Sequence, residues 1–388
     1  MRELVGNVLL LQIGTPTTMA NVILSALIKK ALNYPCIEEI YGCAGGIQSL
    51  LSGQFIDLAG QQQRNIINLV GTPGAALKSI ACKDFSTINV DILRKHNISY
   101  LFAIGDASAV GVCKKLDEAA IKIGHEMRVM LIPTAADNSL QLTDHCLGYG
   151  SMAKHLAVMA KSIAASVQST QSNGAITIIS LADSDDKWLI GGLALARLRA
   201  DGSDAPQLVI FSNFDEGTFV KNVHQTVKNI GNCVIAMGNK LTNLKGENIA
   251  TKRSAAEQVK FVAEANFDVP VDLIPLSDWE LTSCMTLSGT DVAEAELCAQ
   301  KALEFAVGVG TSGKMITLLR MDANKYSSEV NCVDLDNVFD KKKEFPDAWY
   351  DYEEMSLNTQ FFKYAAPLIV GERACAYENG VPHFARLG

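Results

Sequence analysis

Short, unbroken apolar runs punctuate the chain: Leu9-Leu-Leu11, Tyr100-Leu-Phe-Ala-Ile104, Val129-Met-Leu-Ile132, Ile176-Thr-Ile-Ile179, Leu208-Val-Ile-Phe211, Cys233-Val-Ile-Ala-Met237 and Met315-Ile-Thr-Leu-Leu319. Runs of this length without polar alternation predict strands buried on both faces. Most end at a small or polar residue: Gly14, Gly105-Asp106, Pro133, Asp183, Ser212-Asn213 and Gly238. Longer stretches of helical period lie between them, such as Ser108 to Ile123 and Lys154 to Val167. Buried strands alternating with amphipathic helices predict an α/β architecture whose parallel-dominated sheets are covered on both faces. Ligands of such sheets bind beyond the carboxyl ends of the strands, which directs attention to the polar turns. The Ser/Gln-rich segment Ser166 to Gly174 reads as a surface connection, and no repeat of solenoid period is present.

With 388 residues the chain is long enough for two domains, each with its own core. Its 48% hydrophobic and 20% charged residues are those of an ordinary globular protein rather than a disordered one. No apolar run reaches the length of a bilayer span, and Glu3 interrupts the flank of the first run, so residues 1–12 read as a first buried strand rather than a leader. A net charge of −8 argues against nucleic acid and against anionic membranes as partners. Ten scattered cysteines without a C-x-x-C spacing fit buried thiols in a reducing cytoplasm better than a metal site.

Two turns carry candidate chemistry. Gly105-Asp106-Ala-Ser108 follows a strand and opens a helix, so its amides suit a phosphate and Asp106 suits Mg²⁺, with a plain helix N-cap as the competing reading. Asp137, in the Asp-Asn turn after another strand, is placed to take a proton from a substrate hydroxyl, or else forms a turn on its own backbone. Gly71-Thr-Pro-Gly-Ala-Ala76 is either an anion cradle or a turn before a helix. His145 and His155 show no partner cluster and read as structural, and Lys341-Lys-Lys-Glu344 reads as a solvated face.

In this order the motifs resemble those of the phosphofructokinase family, specifically its pyrophosphate-dependent bacterial branch. The resemblance covers nearly the whole chain. It rests on Ile40-Tyr-Gly42, Thr72-Pro-Gly74, Ile104-Gly-Asp-Ala-Ser108, Asp137-Asn138, Thr143-Asp-His-Cys-Leu-Gly-Tyr-Gly150, Ser312-Gly-Lys-Met315, Pro346-Asp-Ala-Trp349 and Tyr364-Ala-Ala-Pro-Leu-Ile-Val-Gly371. The resemblance implies two Rossmann-like three-layer α/β/α domains. One would comprise residues 1–148 with about 282–345, the donor side, and the other 149–281 with about 346–388, the sugar-phosphate side. It also implies a small-molecule ligand in the interdomain cleft, a homo-oligomer (dimer or tetramer), and phosphoryl transfer to the 1-hydroxyl of fructose 6-phosphate. Asp137 falls on the family's catalytic base and Asp106 on its Mg²⁺-binding aspartate. Gly14, Thr15, Gly105, Ala107, Ser108 and Thr134 fall on donor-binding positions. Asn138, Ser139 and Ser184 fall on sugar-site positions.

The departures from the family pattern carry their own implications. G-G-x-x-P is Ile13-Gly-Thr-Pro-Thr17, and Ala107 replaces both the Asp of pyrophosphate users and the Gly of ATP users. P-K-T-I-D-N-D is Pro133-Thr-Ala-Ala-Asp-Asn-Ser139, so Thr134 stands where the lysine that contacts the transferred phosphoryl group belongs. An expected arginine falls near Ala81, and M-G-R becomes approximately Ala182-Asp-Ser184. No Lys, Arg or His occurs between Lys161 and Lys187 or between Lys260 and Lys301; the second window holds eight acids, Glu264, Asp268, Asp272, Asp278, Glu280, Asp291, Glu294 and Glu296. Lost cations imply weak hold on a sugar phosphate, since each charge-assisted hydrogen bond contributes about 1.5–3 kcal/mol. The expectation is therefore a family fold acting as a non-catalytic or regulatory homologue, such as the partner of a catalytic subunit, or retuned to a less anionic substrate. The alternative is an active Mg²⁺-dependent 6-phosphofructokinase using pyrophosphate or ATP.

Overall fold

The computed structural model describes residues 3–79, 90–170, 174–182, 184–197, 206–250, 252–277, 283–321 and 325–388. The chain divides into two compact units, Met1–Ser151 with Thr282–Glu344 and Gly371–Gly388, and Met152–Leu281 with Phe345–Val370.

The first unit is built on β1 (Gly6–Ile13), whose eight residues are all buried. It pairs in parallel with β2 (Ile37–Gly42) on one side and β4 (Ile98–Gly105) on the other. Beyond β4 lie β5 (Arg128–Pro133) and β11 (Lys314–Arg320), both parallel. β12 (Ser328–Asp334) and β3 (Ile56–Asp57) close the two edges antiparallel, giving the order β12-β11-β5-β4-β1-β2-β3. Alternate residues of β1 serve opposite faces, as the two-residue period requires. Val8 and Leu10 pack with α1 (Thr18–Ala31) and α10 (Gly289–Leu303), while Leu9, Leu11 and Ile13 pack with α5 (Ala107–Lys122). Short helices α2 (Ile47–Ser52) and α4 (Val90–Lys95) join the second face and α3 (Gln63–Asn68) the first. The result is three layers.

The second unit holds a four-stranded parallel sheet, order β7-β8-β6-β9, made of β6 (Ile176–Leu181), β7 (Leu208–Ile210), β8 (Cys233–Met237) and β9 (Val271–Leu276). Ile176, Ile178 and Ile235 pack with Phe219 and Val223 of α8 (Glu216–Ile230) and Val259 of α9 (Ala255–Asn266). Trp188, in α7 (Lys187–Ala194), lies in an aromatic cluster with Phe345, Trp349 and Tyr364, ring centroids 5.0–5.9 Å away.

All seven apolar runs form strands, and the two helical stretches form α5 and part of α6 (Tyr149–Thr170). Two features depart from the sequence reading. Helix α6 continues to Thr170, so the surface connection expected from Ser166 begins in helix. Residues 371–388, assigned from sequence to the second domain, belong to the first unit: Glu372–Arg373 pairs antiparallel with β10 (Leu287–Ser288), and the Ala385 amide donates to Thr72 Oγ at 2.8 Å.

Candidate functional site

In the first unit the sheet order reverses at β1: β2 lies to one side and β4 to the other. A reversal of this kind opens a crevice at the carboxyl ends of the two strands. The turns there are Gly14-Thr15 after β1 and Asp106 after β4, whose last residues Ile13 and Gly105 are register partners. Asp106 joins the two. Its Oδ2 accepts from the Thr15 amide at 2.7 Å, and its Oδ1 accepts from the Ser108 amide and hydroxyl at 2.9 and 2.7 Å. The carboxylate is thus the N-cap of α5 and a clasp between neighbouring strand ends. Gly14 permits the clasp: its φ is +99°, and a Cβ would sit 2.2 Å from Asp106 Oδ1. Ile13, where the family pattern has a glycine, is 1% exposed and packs in the core.

The Pro133–Ser139 segment is shaped by backbone bonds. Thr134 N donates to Gly105 O at 2.8 Å, Ala135 N to Leu147 O at 3.0 Å, and Asn138 N to Ala135 O at 3.1 Å. Thr134 is 1% exposed and Asn138 fully buried. Asn138, at φ +52°, accepts the Cys146 amide on Oδ1 at 2.8 Å, so this side chain braces the loop from within. Asp137 is half-buried and accepts the Ser139 amide at 3.2 Å, the turn geometry expected of an Asp-Asn pair. It also lines a cavity of about 320 Å³ with Ser139, Ala107, Asp340, Lys341 and Lys342.

That cavity changes the reading of the basic run. Lys341 and Lys342 are exposed, as a solvated face requires, but the run is fastened to the Asp137 loop. Lys342 forms an antiparallel bridge with Leu140, and Lys343 N donates to Ser139 O at 2.8 Å. The Lys343 ammonium turns inward onto the carbonyls of Thr143 and Asp144, and burial pulls its pKa below the ordinary value. Cations therefore do border the Asp137 cavity; no local sequence signal links positions 137 and 341.

Two of the eight acids counted as a repulsive window are likewise committed internally. Asp291 is buried and accepts the amides of Gly148 and Ser151 at the start of α6, burial raising its pKa against those bonds. Glu294 accepts from Tyr326 and Ser328 hydroxyls at 2.7 and 2.6 Å and meets His145 Nε2 at 2.8 Å. His145 Nδ1 meets Asp144 at 3.0 Å, and Arg320 grips Asp144 through Nε and a terminal nitrogen. His145 thus has a partner cluster that sequence reading missed, because Glu294 is 149 positions away. Burial opposes its charge, but the two carboxylates overcome that and lift its pKa to about 9. Burial likewise opposes ionisation of Asp144 and Glu294, yet the bonds from His145 hold both below their ordinary values, Asp144 at about 2.

The Thr72-Pro-Gly74 turn is held by buried amides: Asn21 Nδ2 donates to Thr72 O and Gly74 O at 2.8 and 3.0 Å, and Gln12 Oε1 accepts from Leu77 N. Ser184 follows β6 in the second unit, its Oγ accepting from the amide of Asp186, the N-cap of α7. Ala81 and Asp183 lie outside the described residues. Among the described residues no group of three or more His, Cys, Asp or Glu side chains is placed to hold a metal. Each of the two site carboxylates retains lone pairs beyond its protein hydrogen bonds. That donor set fits Mg²⁺ carried on phosphate oxygens, the usual mode with one or two carboxylates, rather than a resident all-protein site. No helix is long and apolar enough to cross a membrane among the residues described.

Comparison with known proteins gives the family and the fold. The family described as Phosphofructokinase matches residues 7–264. A pyrophosphate–fructose 6-phosphate 1-phosphotransferase of Halomonas elongata is 27% identical over 373 residues, 90% of this chain and 88% of the relative. That of Methylococcus capsulatus is 25% identical over 404 residues, covering 97% and 94%. The crystal structure of a pyrophosphate-dependent phosphofructokinase from Marinobacter aquaeolei superposes with a TM-score of 0.85 at 23% identity, covering 99% of this chain and 96% of that one.

Proposed function

The chain belongs to the phosphofructokinase family, and from that premise we propose that it is a phosphotransferase using pyrophosphate as donor and a sugar-phosphate hydroxyl as acceptor. Fructose 6-phosphate is the acceptor in the names of its relatives. The observation that carries the reading is Asp137 lining a cavity bordered by Lys341, Lys342 and the first turn of α5. A carboxylate beside cations and helix amides is the combination phosphoryl transfer needs, because the reaction depends on positioning and charge neutralisation.

In this mechanism the Asp137 carboxylate accepts the proton of the acceptor hydroxyl. The hydroxyl oxygen forms a bond to the terminal phosphorus as the bridging P–O bond breaks, and the leaving phosphate takes the electron pair. Mg²⁺ would neutralise charge on the phosphate oxygens when bound, and Asp106, at the turn after β4, is the carboxylate that would hold it, leaving Asp137 free to act as base. The clasp from Asp106 to Thr15 keeps the amide ends of the two strand turns together where the donor's phosphates would lie.

A second reading, a non-catalytic ligand-binding homologue, is favoured by Thr134, which is buried and uncharged where the family pattern has a lysine. The two separate on one assay. Purified protein receives Mg²⁺, pyrophosphate and fructose 6-phosphate, beside Asp137→Asn, which keeps the turn but not the base. We expect turnover in the wild type and a loss of roughly 10²–10⁴-fold in the variant. Absence of turnover in both proteins, with both folded, sinks the enzyme reading.

A further inference from the structure

Position 134 carries a threonine, and the lysines that line the cavity beside Asp137 are Lys341 and Lys342, far along the chain. The segment that brings them is anchored at successive points. After β12, Asp336 in α11 (Leu335–Val338) pairs with Lys114 of α5 at 2.6 Å. Phe339 packs on the same helix, where a Cβ at Gly111 would lie 3.1 Å from its ring, and the Lys114 ammonium sits 5.2 Å from the ring centroid. Asp340, at φ +57°, turns the chain, and the bridge of Lys342 to Leu140 and the bond from Lys343 N to Ser139 O fix it beside the Asp137 loop. Gln141 Nε2 adds a bond to Lys342 O at 2.5 Å. The backbone of the lysines is therefore held in register with the residues that immediately follow Asp137 and Asn138.

The electrostatics call for such cations. Asp137 and Asp340 both line the cavity, and two carboxylates without counter-charge repel a phosphate. Lys341 and Lys342 line the same cavity and offset them, and Ala107 places the amide end of a 16-residue helix at its wall.

Resting on the phosphoryl-transfer reading, we propose that Lys341 and Lys342 are the phosphate-binding cations of this site, holding the terminal phosphate of the donor beside Asp137. They supply from the segment that follows α11 the charge that Thr134 does not supply from the end of β5.

The test is equilibrium binding of radiolabelled pyrophosphate, with Mg²⁺, to the full chain, alongside kcat and KM. The proteins are wild type, Lys341→Gln/Lys342→Gln, Lys341→Arg/Lys342→Arg, and a charge-matched control, Lys221→Gln/Lys228→Gln, on exposed positions of α8. The glutamine pair is expected to bind roughly ten- to a hundredfold more weakly than wild type, the loss of one or two charge-assisted contacts. The arginine pair should stay within a few-fold, and the control should match wild type. Equal affinity in the glutamine pair and the control overturns the assignment even if the wild type is an active enzyme. Weakened binding in the glutamine pair supports it even if no acceptor is turned over, in which case only the catalytic reading falls. A wild type that binds no pyrophosphate overturns both.

Discussion

Asn138 shows how a residue read for ligand contact can instead be a loop support. Its buried Oδ1 accepts the Cys146 amide, and its φ of +52° lies in the left-handed region that Asn tolerates better than most side chains. Asn138→Gly removes the hydrogen bond and relaxes the backbone, whereas Asn138→Ala removes the bond and keeps the strain. Leaving the Cys146 amide unpaired costs roughly 1–3 kcal/mol in either variant, and alanine should lose about 1–2 kcal/mol more. Urea denaturation of the three proteins measures the difference. Equal midpoints for Ala and Gly would show that the backbone conformation is not what fixes Asn here. From sequence, Asp137 and Asn138 look alike as a polar pair after a strand. Which of them faces the cavity depends on Cys146, eight residues on, folding back over the loop.

At the scale of elements, consecutive apolar runs were legible because a strand buried on both faces needs no polar partner. β2, β9 and β12 do not stand out in the sequence because each is partly exposed and carries polar residues. β9 includes Pro275, tolerated because the strand lies at the sheet edge, where one side of the backbone needs no ladder donor. The basic run at 341–343 looks like plain surface in the sequence because its structural meaning lies in a bridge to Leu140, a contact between segments that no local pattern encodes. The clasp between β1 and α5 gives an element-level prediction. Gly14→Ala forces a Cβ against the Asp106 carboxylate at a positive φ, a strain of roughly 1–3 kcal/mol. Asp106→Ala loses the α5 cap, about 0.5–2 kcal/mol. In the double variant the clash has no partner, so its destabilisation should fall short of the sum by at least about 0.5 kcal/mol. Additive losses in denaturant melts would mean that the two turns are not coupled through this carboxylate.

Across the whole molecule, the Asp144–His145–Glu294 network lies within the first unit and ties the loop after Asp137 to α10, β11 and β12. Its protonation states make that unit's stability depend on pH. The His145 contribution is complete below its ordinary pKa of 6.5 and fades as pH rises through about 9. The contributions of Asp144 and Glu294 are complete above ordinary carboxylate values and fade as pH falls, toward about 2 for Asp144. Between pH 7 and 9.5 the first unit should therefore lose on the order of 2 kcal/mol from this source, and His145→Gln should flatten that alkaline limb. The second unit has its own reporters, Trp188 and Trp349, once Trp279→Phe removes the third tryptophan. Calorimetry and tryptophan fluorescence on that background separate the two units. The expected result is a calorimetric transition that moves down in temperature at pH 9.5 while the fluorescence transition moves less, and a smaller calorimetric shift once His145 is replaced. If His145→Gln leaves the alkaline loss unchanged, the imidazolium between its two carboxylates is not the group that titrates, and the stability of the first unit must be traced to other ionisations.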